Sequence, residues 1–153
     1  MRFGNVLNQK LIYLFSEVFA VDIIFSQELL CPANILRLQC NLSDTKTVDT
    51  IYHIIIYKLD EQVVILNLNG GSPNGTISWD DEAIENISST EESSIFPPNE
   101  ARLVVQISLA SFFEMREDSV MFRCTIYGKV LKLAANEWKQ GLTVRKEDTG
   151  KFC

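Results

Sequence analysis

Short runs of β-branched, apolar and aromatic residues recur along this chain, and clusters of turn-forming residues separate them. Residues 51–59 (IYHIIIYKL) have the composition of a central strand. Residues 119–126 alternate, which places Val120, Phe122 and Cys124 on one face of a half-buried strand. No long amphipathic helix follows residue 20. About seven to nine such strands predict an all-β fold, an antiparallel β-sandwich.

Turn signals and polar stretches divide these strands. We predict a loop at residues 69–75 (NGGSPNG) and a turn at Tyr127 and Gly128, because Gly, Asn and Pro favour turn conformations. Residues 130–133 and 142–144 are candidates for the last strands, and the charged residues after Arg145 indicate a tail. The predicted domain therefore covers residues 21–135, with a tail or linker at 136–153.

The charge of the chain excludes one class of partner and is unevenly placed. Fourteen basic and 20 acidic residues give a net charge of −6, the opposite of what a sequence-independent nucleic-acid binder needs. Residues 59–101 contain nine acids and no Lys or Arg. We interpret this acidic segment as a solvated loop region. The alternative is a surface for a cationic ligand or Ca²⁺, although the acid spacing does not match a calcium-binding loop.

The first 20 residues have the outline of a secretory leader. Arg2 and Lys10 precede an apolar run at residues 11–15, and small residues follow near Ala20. Glu17 interrupts the apolar stretch. Two hypotheses follow: a signal peptide over residues 1–20, or a start that belongs to a larger protein. No run of 18 apolar residues exists, so we expect no transmembrane helix in this chain.

Two further features favour the secretory route. Asn41, Asn74 and Asn86 each begin an N-glycosylation tripeptide without Pro in the middle. The four cysteines are compatible with two disulfides in an oxidising compartment. The predicted location is therefore secreted or extracellular.

The stretch EDSVMFRC at residues 117–124 resembles the entry to strand F of the immunoglobulin superfamily. In that motif an Asp lies six residues before a Cys and an aromatic residue two before it, the positions of Asp118, Phe122 and Cys124. The resemblance implies an immunoglobulin-like sandwich of variable or intermediate type with Greek-key connections. It also implies a disulfide from Cys124 to Cys40 on the second strand.

This sequence departs from the immunoglobulin pattern at two positions. Ile56 stands where the family has a strand C Trp, although Tyr57 and Lys58 follow as expected. Phe122 replaces the usual Tyr and so lacks its hydroxyl hydrogen bond, worth about 1 kcal/mol. Tyr57-Lys58 after a strand without Trp, together with Ile107-Ser108-Leu109, looks similar to immunoglobulin domains of molluscan fibrinogen-related lectins.

Cys31 and Cys153 are left over by this pairing. They could form a second bridge that holds the tail to the first strand. They could equally be unpaired, or bonded to a part of a longer protein. All three alternatives remain open at the level of sequence.

No sequence motif indicates that this chain catalyses a reaction. His53 is the only histidine and lies in an apolar strand, so a metal site lacks ligands and a Ser-His-Asp hydrolase would rest on that residue alone. No phosphate-binding loop is present, and no cofactor is expected. We therefore expect a non-catalytic protein.

The predicted function is an extracellular recognition or adhesion module that binds a protein or glycan partner. Binding would use a sheet face or the end loops, for which residues 43–50, 69–74 and 127–129 are candidates. The alternative is a structural spacer, or a fragment of a larger receptor or lectin whose ligand site lies in another domain.

Overall fold

The computed structural model describes residues 21–69, 71–115 and 119–149, which form nine β-strands and four short helical segments. The strands are β1 Ile23–Leu30, β2 Ile35–Leu42, β3 Val48–Lys58, β4 Glu61–Asn69, β5 Ser72–Trp79, β6 Ser88–Ser94, β7 Arg102–Ser108, β8 Ser119–Val130 and β9 Ala134–Arg145. The helical segments are Glu82–Glu85, Pro98–Glu100 (a 3₁₀ turn), Leu109–Met115 and Lys146–Thr149.

The strands form two antiparallel sheets that pack face to face. One sheet has four strands in the order β1-β2-β7-β6, and the other has five in the order β5-β4-β3-β8-β9. The chain crosses between the sheets after β2, β5 and β7, which is the Greek-key pattern of a nine-stranded immunoglobulin-like sandwich. The predicted fold class is confirmed.

The core is the set of inward-facing residues from both sheets, and one disulfide joins the sheets through it. On β2 the buried positions alternate and include Leu38 and Cys40, and on β8 they include Phe122 and Cys124. Cys40 and Cys124 are bonded to each other and both are fully buried. This disulfide prediction is confirmed. Ile56 is paired in register with Cys124 and is also buried.

The predicted turn at Tyr127 and Gly128 is wrong, because both residues lie within β8. Gly128 pairs with Ile51 at an irregularity in β3. A Cβ atom at Gly128 would lie 2.6 Å from the carbonyl oxygen of Thr50, so the glycine permits close backbone approach between strands. Glycine, which we expected to form a turn, therefore permits a close contact between strands at this position.

The true turn between β8 and β9 comes three residues later, in sequence that we assigned to a strand. Leu131 and Lys132 have φ of 53° and 55°, and Leu133 N donates to Val130 O. A two-residue hairpin turn of this hand usually carries Asn and Gly. Residues 130–133 (VLKL) contain neither Asn nor Gly, and this explains the error.

The acidic segment at residues 59–101 is mostly strand, contrary to our interpretation as a loop region. It contains β4, β5, β6 and the helix Glu82–Glu85. β5 and β6 are the edge strands of their sheets, where Pro73 and a run of polar residues are tolerated because one side of the strand needs no pairing.

Several acids of this segment have basic partners from other elements. Asp81 Oδ2 lies 3.9 Å from Nζ of the buried Lys58, and Asp81 Oδ1 accepts a hydrogen bond from Ile84 N at the start of the short helix. Glu91 and Glu92 bond to Arg37 and Arg102. The segment is therefore part of the folded sandwich.

The sandwich also extends beyond the predicted boundary at residue 135. β9 pairs with β8 along its whole length, from Ala134 opposite Val130 to Arg145 opposite Ser119. Trp138 and Val144 from this strand are buried in the core. Exposed polar residues alternate with these positions and made the stretch resemble a tail. Among the described residues, no helix has the length and apolar character needed to cross a bilayer.

Candidate functional site

The outward face of the five-stranded sheet carries the candidate site. Cys124 faces the core, so its neighbours Arg123 and Thr125 on β8 point to the opposite face. The register places Tyr57 beside Arg123, and His53 beside Tyr127. We call the following outward set the aromatic face: Tyr52, His53, Tyr57, Met121, Arg123 and Tyr127.

The first contact within the aromatic face is a cation–π pair. The Cζ atom of Arg123 lies 4.6 Å from the centre of the Tyr57 ring. A guanidinium stacked on an aromatic ring is held in place while its N–H groups stay available at the edge. Gly141 on β9 lies opposite Arg123 and adds no side chain there.

The second contact is a stack of three rings. His53 and Tyr127 have ring centroids 5.2 Å apart with planes at 16°, and Tyr52 lies 5.8 Å from Tyr127. Burial in this stack lowers the pKa of His53, and the negative charge of Glu137 partly offsets that shift. The neutral imidazole is therefore the favoured form on this face.

The middle of the face is covered by its own side chains. Ile55 and Thr125 are paired in register between the two aromatic contacts, and both are buried although they point outward. Met121, at the end nearer Arg123, is 54% exposed. The aromatic face therefore offers rings, a thioether and one guanidinium, a composition typical of protein interfaces.

The outward face of the four-stranded sheet differs in chemistry. Arg37 Nε donates to Glu91 Oε2 at 2.9 Å, and Gln106 Nε2 donates to the same oxygen at 3.0 Å. Hydrogen bonds from Arg37 and Gln106 lower the pKa of the Glu91 carboxyl. Arg37 also donates to Gln39 at 3.0 Å. The polar groups of this face thus bind one another.

Of the three glycosylation tripeptides, the one at Asn41 lies on β2 of the four-stranded sheet, the one at Asn86 leads into β6, and the one at Asn74 lies on β5, the edge strand of the five-stranded sheet. Asn41 and Asn74 line one open groove of about 680 Å³ beside β6, and Asn86 lines a second groove at the other end of β6. Asn74 and Asn86 are exposed, whereas Asn41 is half-buried and its Nδ2 donates to Leu42 O. None of the three asparagines lies on the aromatic face.

The candidate binding loops are shorter than predicted. Residues 43–47 connect β2 to β3, but 48–50 already belong to β3. Of residues 69–74, the structure places 69 in β4 and 72–74 in β5. Residues 127–129 lie within β8 and form no loop. The hairpin tip at 131–133 takes their place beside the first loop, where Leu131 N donates to Thr47 O.

Other predicted site residues are only partly described. Phe122 is fully buried and packs against Phe112 with ring centroids 5.9 Å apart. Cys31 is disulfide-bonded, while its predicted partner Cys153 lies outside the described residues. Asp118 also lies outside them. The described part of the chain holds no cluster of three or more His, Cys, Asp or Glu residues suited to a metal ion.

The sequence did not lead us to predict that Tyr57, Met121, Arg123 and Tyr127 lie on one surface. The signal was available in the alternation around Cys124, because odd-numbered residues of that strand must face away from the disulfide. The alternation did not show which strand pairs with β8 or in what register.

No family model matches the chain, and a search of curated proteins also finds no match.

Proposed function

We propose that this chain is an extracellular, non-catalytic recognition module of the immunoglobulin superfamily, which binds a partner protein through the aromatic face. The single observation that carries the proposal is the difference between the two outward sheet faces. On the four-stranded sheet the polar groups pair with one another, whereas the five-stranded sheet presents rings, Met121 and Arg123 to the exterior, with the Lys139–Glu137 ion pair on its edge strand β9.

The composition of the aromatic face supports a protein partner. Tyr, Met and Arg are enriched in protein interfaces, and Tyr and Arg recur among the residues that dominate binding energy. An outward sheet face in water is expected to be polar, so an apolar one indicates a contact surface.

Two observations support an extracellular location and superfamily membership. The Cys40–Cys124 disulfide lies in the core, and such bonds persist in oxidising compartments. The strand order of both sheets and the burial of Phe122 beside that bond agree with the strand F resemblance.

Cell binding by the secreted domain tests this proposal. The glycosylated domain is biotinylated, assembled on fluorescent streptavidin and applied to cells of the organism that encodes it. We expect Met121→Thr and Tyr127→Thr each to reduce cell binding by about tenfold or more, because residues at the centre of an interface dominate its energy. Thr keeps the β-branched character of a strand residue.

The matched control is Ile24→Thr on β1. Ile24 is 45% exposed and points away from the core on the other sheet, so its exposure is comparable to that of Met121. It should leave cell binding unchanged. Equal losses for Ile24→Thr and Met121→Thr would contradict the proposal, as would binding that survives protease treatment of the cells but not removal of their glycans.

A further inference from the structure

Arg123 has no anionic partner among the described residues. Its Nε atom is buried and makes no hydrogen bond, and its guanidinium contacts the Tyr57 ring. A buried donor without an acceptor destabilises the folded state, and more so when the group is charged. A hydrogen-bond acceptor on a bound partner would remove this penalty for Arg123.

Three other charged donors on the sheet faces, Arg37, Arg102 and Lys139, are already paired with acidic side chains. Arg37 Nε donates to Glu91 at 2.9 Å, and Arg102 Nε donates to Glu92 O at 2.8 Å. Lys139, which lies two positions from Gly141 on β9, has its Nζ 3.1 Å from Glu137 Oε1. Arg123 therefore differs from these groups in lacking a counter-charge.

The surroundings of Arg123 leave room for a ligand. Gly141 lies directly across from it on β9, and a Cβ atom there would meet nothing closer than the Phe122 carbonyl oxygen at 3.6 Å. Met121, the previous outward residue on β8, is half exposed. The edge of the guanidinium is therefore flanked by an open glycine position and an accessible apolar side chain.

We propose that Arg123 binds the carboxylate of an Asp or Glu side chain on the partner protein. This inference rests on the proposed function, because the same face must be the contact surface. The planar guanidinium can donate two parallel N–H bonds to a carboxylate, and stacking on Tyr57 fixes its orientation. One carboxylate neutralises the single positive charge of the Arg123 guanidinium. A phosphate dianion would keep a surplus charge beside a protein of net charge −6.

The first experiment follows the Nε–H resonance of Arg123 by ¹⁵N NMR. The probes are the pentapeptide acetyl-Ala-Leu-Glu-Leu-Ala-amide, its Gln and phosphoserine counterparts, and glucuronate as a carboxylated sugar. The Glu peptide should shift the Arg123 signal and the Gln peptide should not. The Nε–H signals of Arg37 and Arg102 should stay in place, because both groups are already bonded.

The second experiment supplies the carboxylate from within the chain. In Gly141→Glu, a side chain from β9 can reach Arg123 and should raise the melting temperature by about 2 °C over Gly141→Gln. Protonation of the new carboxyl at low pH should remove this difference. Gly141→Glu should also abolish the response of Arg123 to the Glu peptide, whereas Ile24→Thr on the other sheet should retain it.

Cell binding separates this inference from the function on which it rests. If the unmodified domain binds cells, Arg123→Lys and Gly141→Glu should weaken binding about tenfold while Ile24→Thr does not. Unchanged binding in Arg123→Lys and Gly141→Glu, alongside loss in Met121→Thr, would overturn the carboxylate assignment alone. A response of Arg123 to phosphoserine peptide or glucuronate rather than to the Glu peptide would also overturn it.

Discussion

Gly128 and Thr50 face each other across β8 and β3 so closely that a Cβ atom on Gly128 would lie 2.6 Å from the Thr50 carbonyl oxygen. The obstacle is backbone, so it cannot rotate aside as a side chain could. The glycine thus sets the distance between the two central strands of the five-stranded sheet, next to the ring of Tyr127 on the aromatic face.

Gly128→Ala should therefore lower the free energy of unfolding by about 2 kcal/mol, the range found for overpacked interiors. Gly141→Ala is the matched control in the neighbouring strand, because its Cβ would have only ordinary contacts at 3.6 Å. Urea denaturation of the three proteins measures both effects. Equal stability of the two variants would contradict the close approach.

Removal of the core disulfide should have a larger effect. Cys40 and Cys124 are 84 residues apart, so their bond restricts a long loop in the unfolded chain. Cys40→Ala with Cys124→Ala should lower the free energy of unfolding by about 3–5 kcal/mol, with a lower urea midpoint as the readout. A double variant as stable as the parent would show that the link contributes nothing.

Lys132 offers the opposite test, a substitution that should stabilise. Its backbone has φ of 55°, which L-residues adopt at a cost of about 1–2 kcal/mol, whereas glycine adopts it freely. The backbone N–H of Lys132 donates to the Asp49 carboxylate, and glycine would keep that bond. Lys132→Gly should thus raise the free energy of unfolding by about 1 kcal/mol.

Lys139→Gly serves as the control for that change. Lys139 is an exposed residue inside β9 with no positive φ, so glycine there should destabilise through chain entropy. Thermal unfolding of both variants gives the comparison. If Lys132→Gly melts below the parent protein, the strained turn is absent.

The pH dependence of stability should report on His53. Burial holds its pKa in the folded protein below the ordinary value of 6.5. The unfolded chain therefore takes up a proton first as the pH falls. The contribution of neutral His53 is fully present above about pH 6.5 and declines as the pH falls toward its folded-state pKa.

The comparison that isolates this effect is His53→Gln. Urea midpoints at about pH 7.5 and pH 5.5 should differ more in the parent protein than in the variant, since Gln does not titrate in that range. Acidic groups such as Glu91 affect both proteins alike. The same pH dependence in both proteins would exclude His53 as the source.

Local patterns predicted the interior of this protein well. The alternation of Val120, Phe122 and Cys124 identified the buried face of β8, and the strand F resemblance predicted the bond to Cys40. These features depend on burial, which has a period of two along a strand. The turn positions were predicted poorly, because Gly128 and Leu131 have strand and turn conformations that their residue types do not indicate.

The candidate site shows the limit of such patterns. Alternation alone puts Arg123 on an outward face, but it does not show that Tyr57 lies beneath its guanidinium or that Gly141 lies opposite. These neighbours come from strands that are far apart in sequence, and register between strands is fixed by the packing of whole side chains in the core.

The sequence by itself determined the all-β class, the strand that carries Cys124 and the two faces of that strand, because each depends on residues one or two apart. Only the tertiary structure decided that the acidic segment is mostly strand, that β9 extends to Arg145 and that the rings of β3 meet Arg123 and Tyr127. Those outcomes depend on which strands pair and in what register, and pairing energy is gained only when distant segments meet.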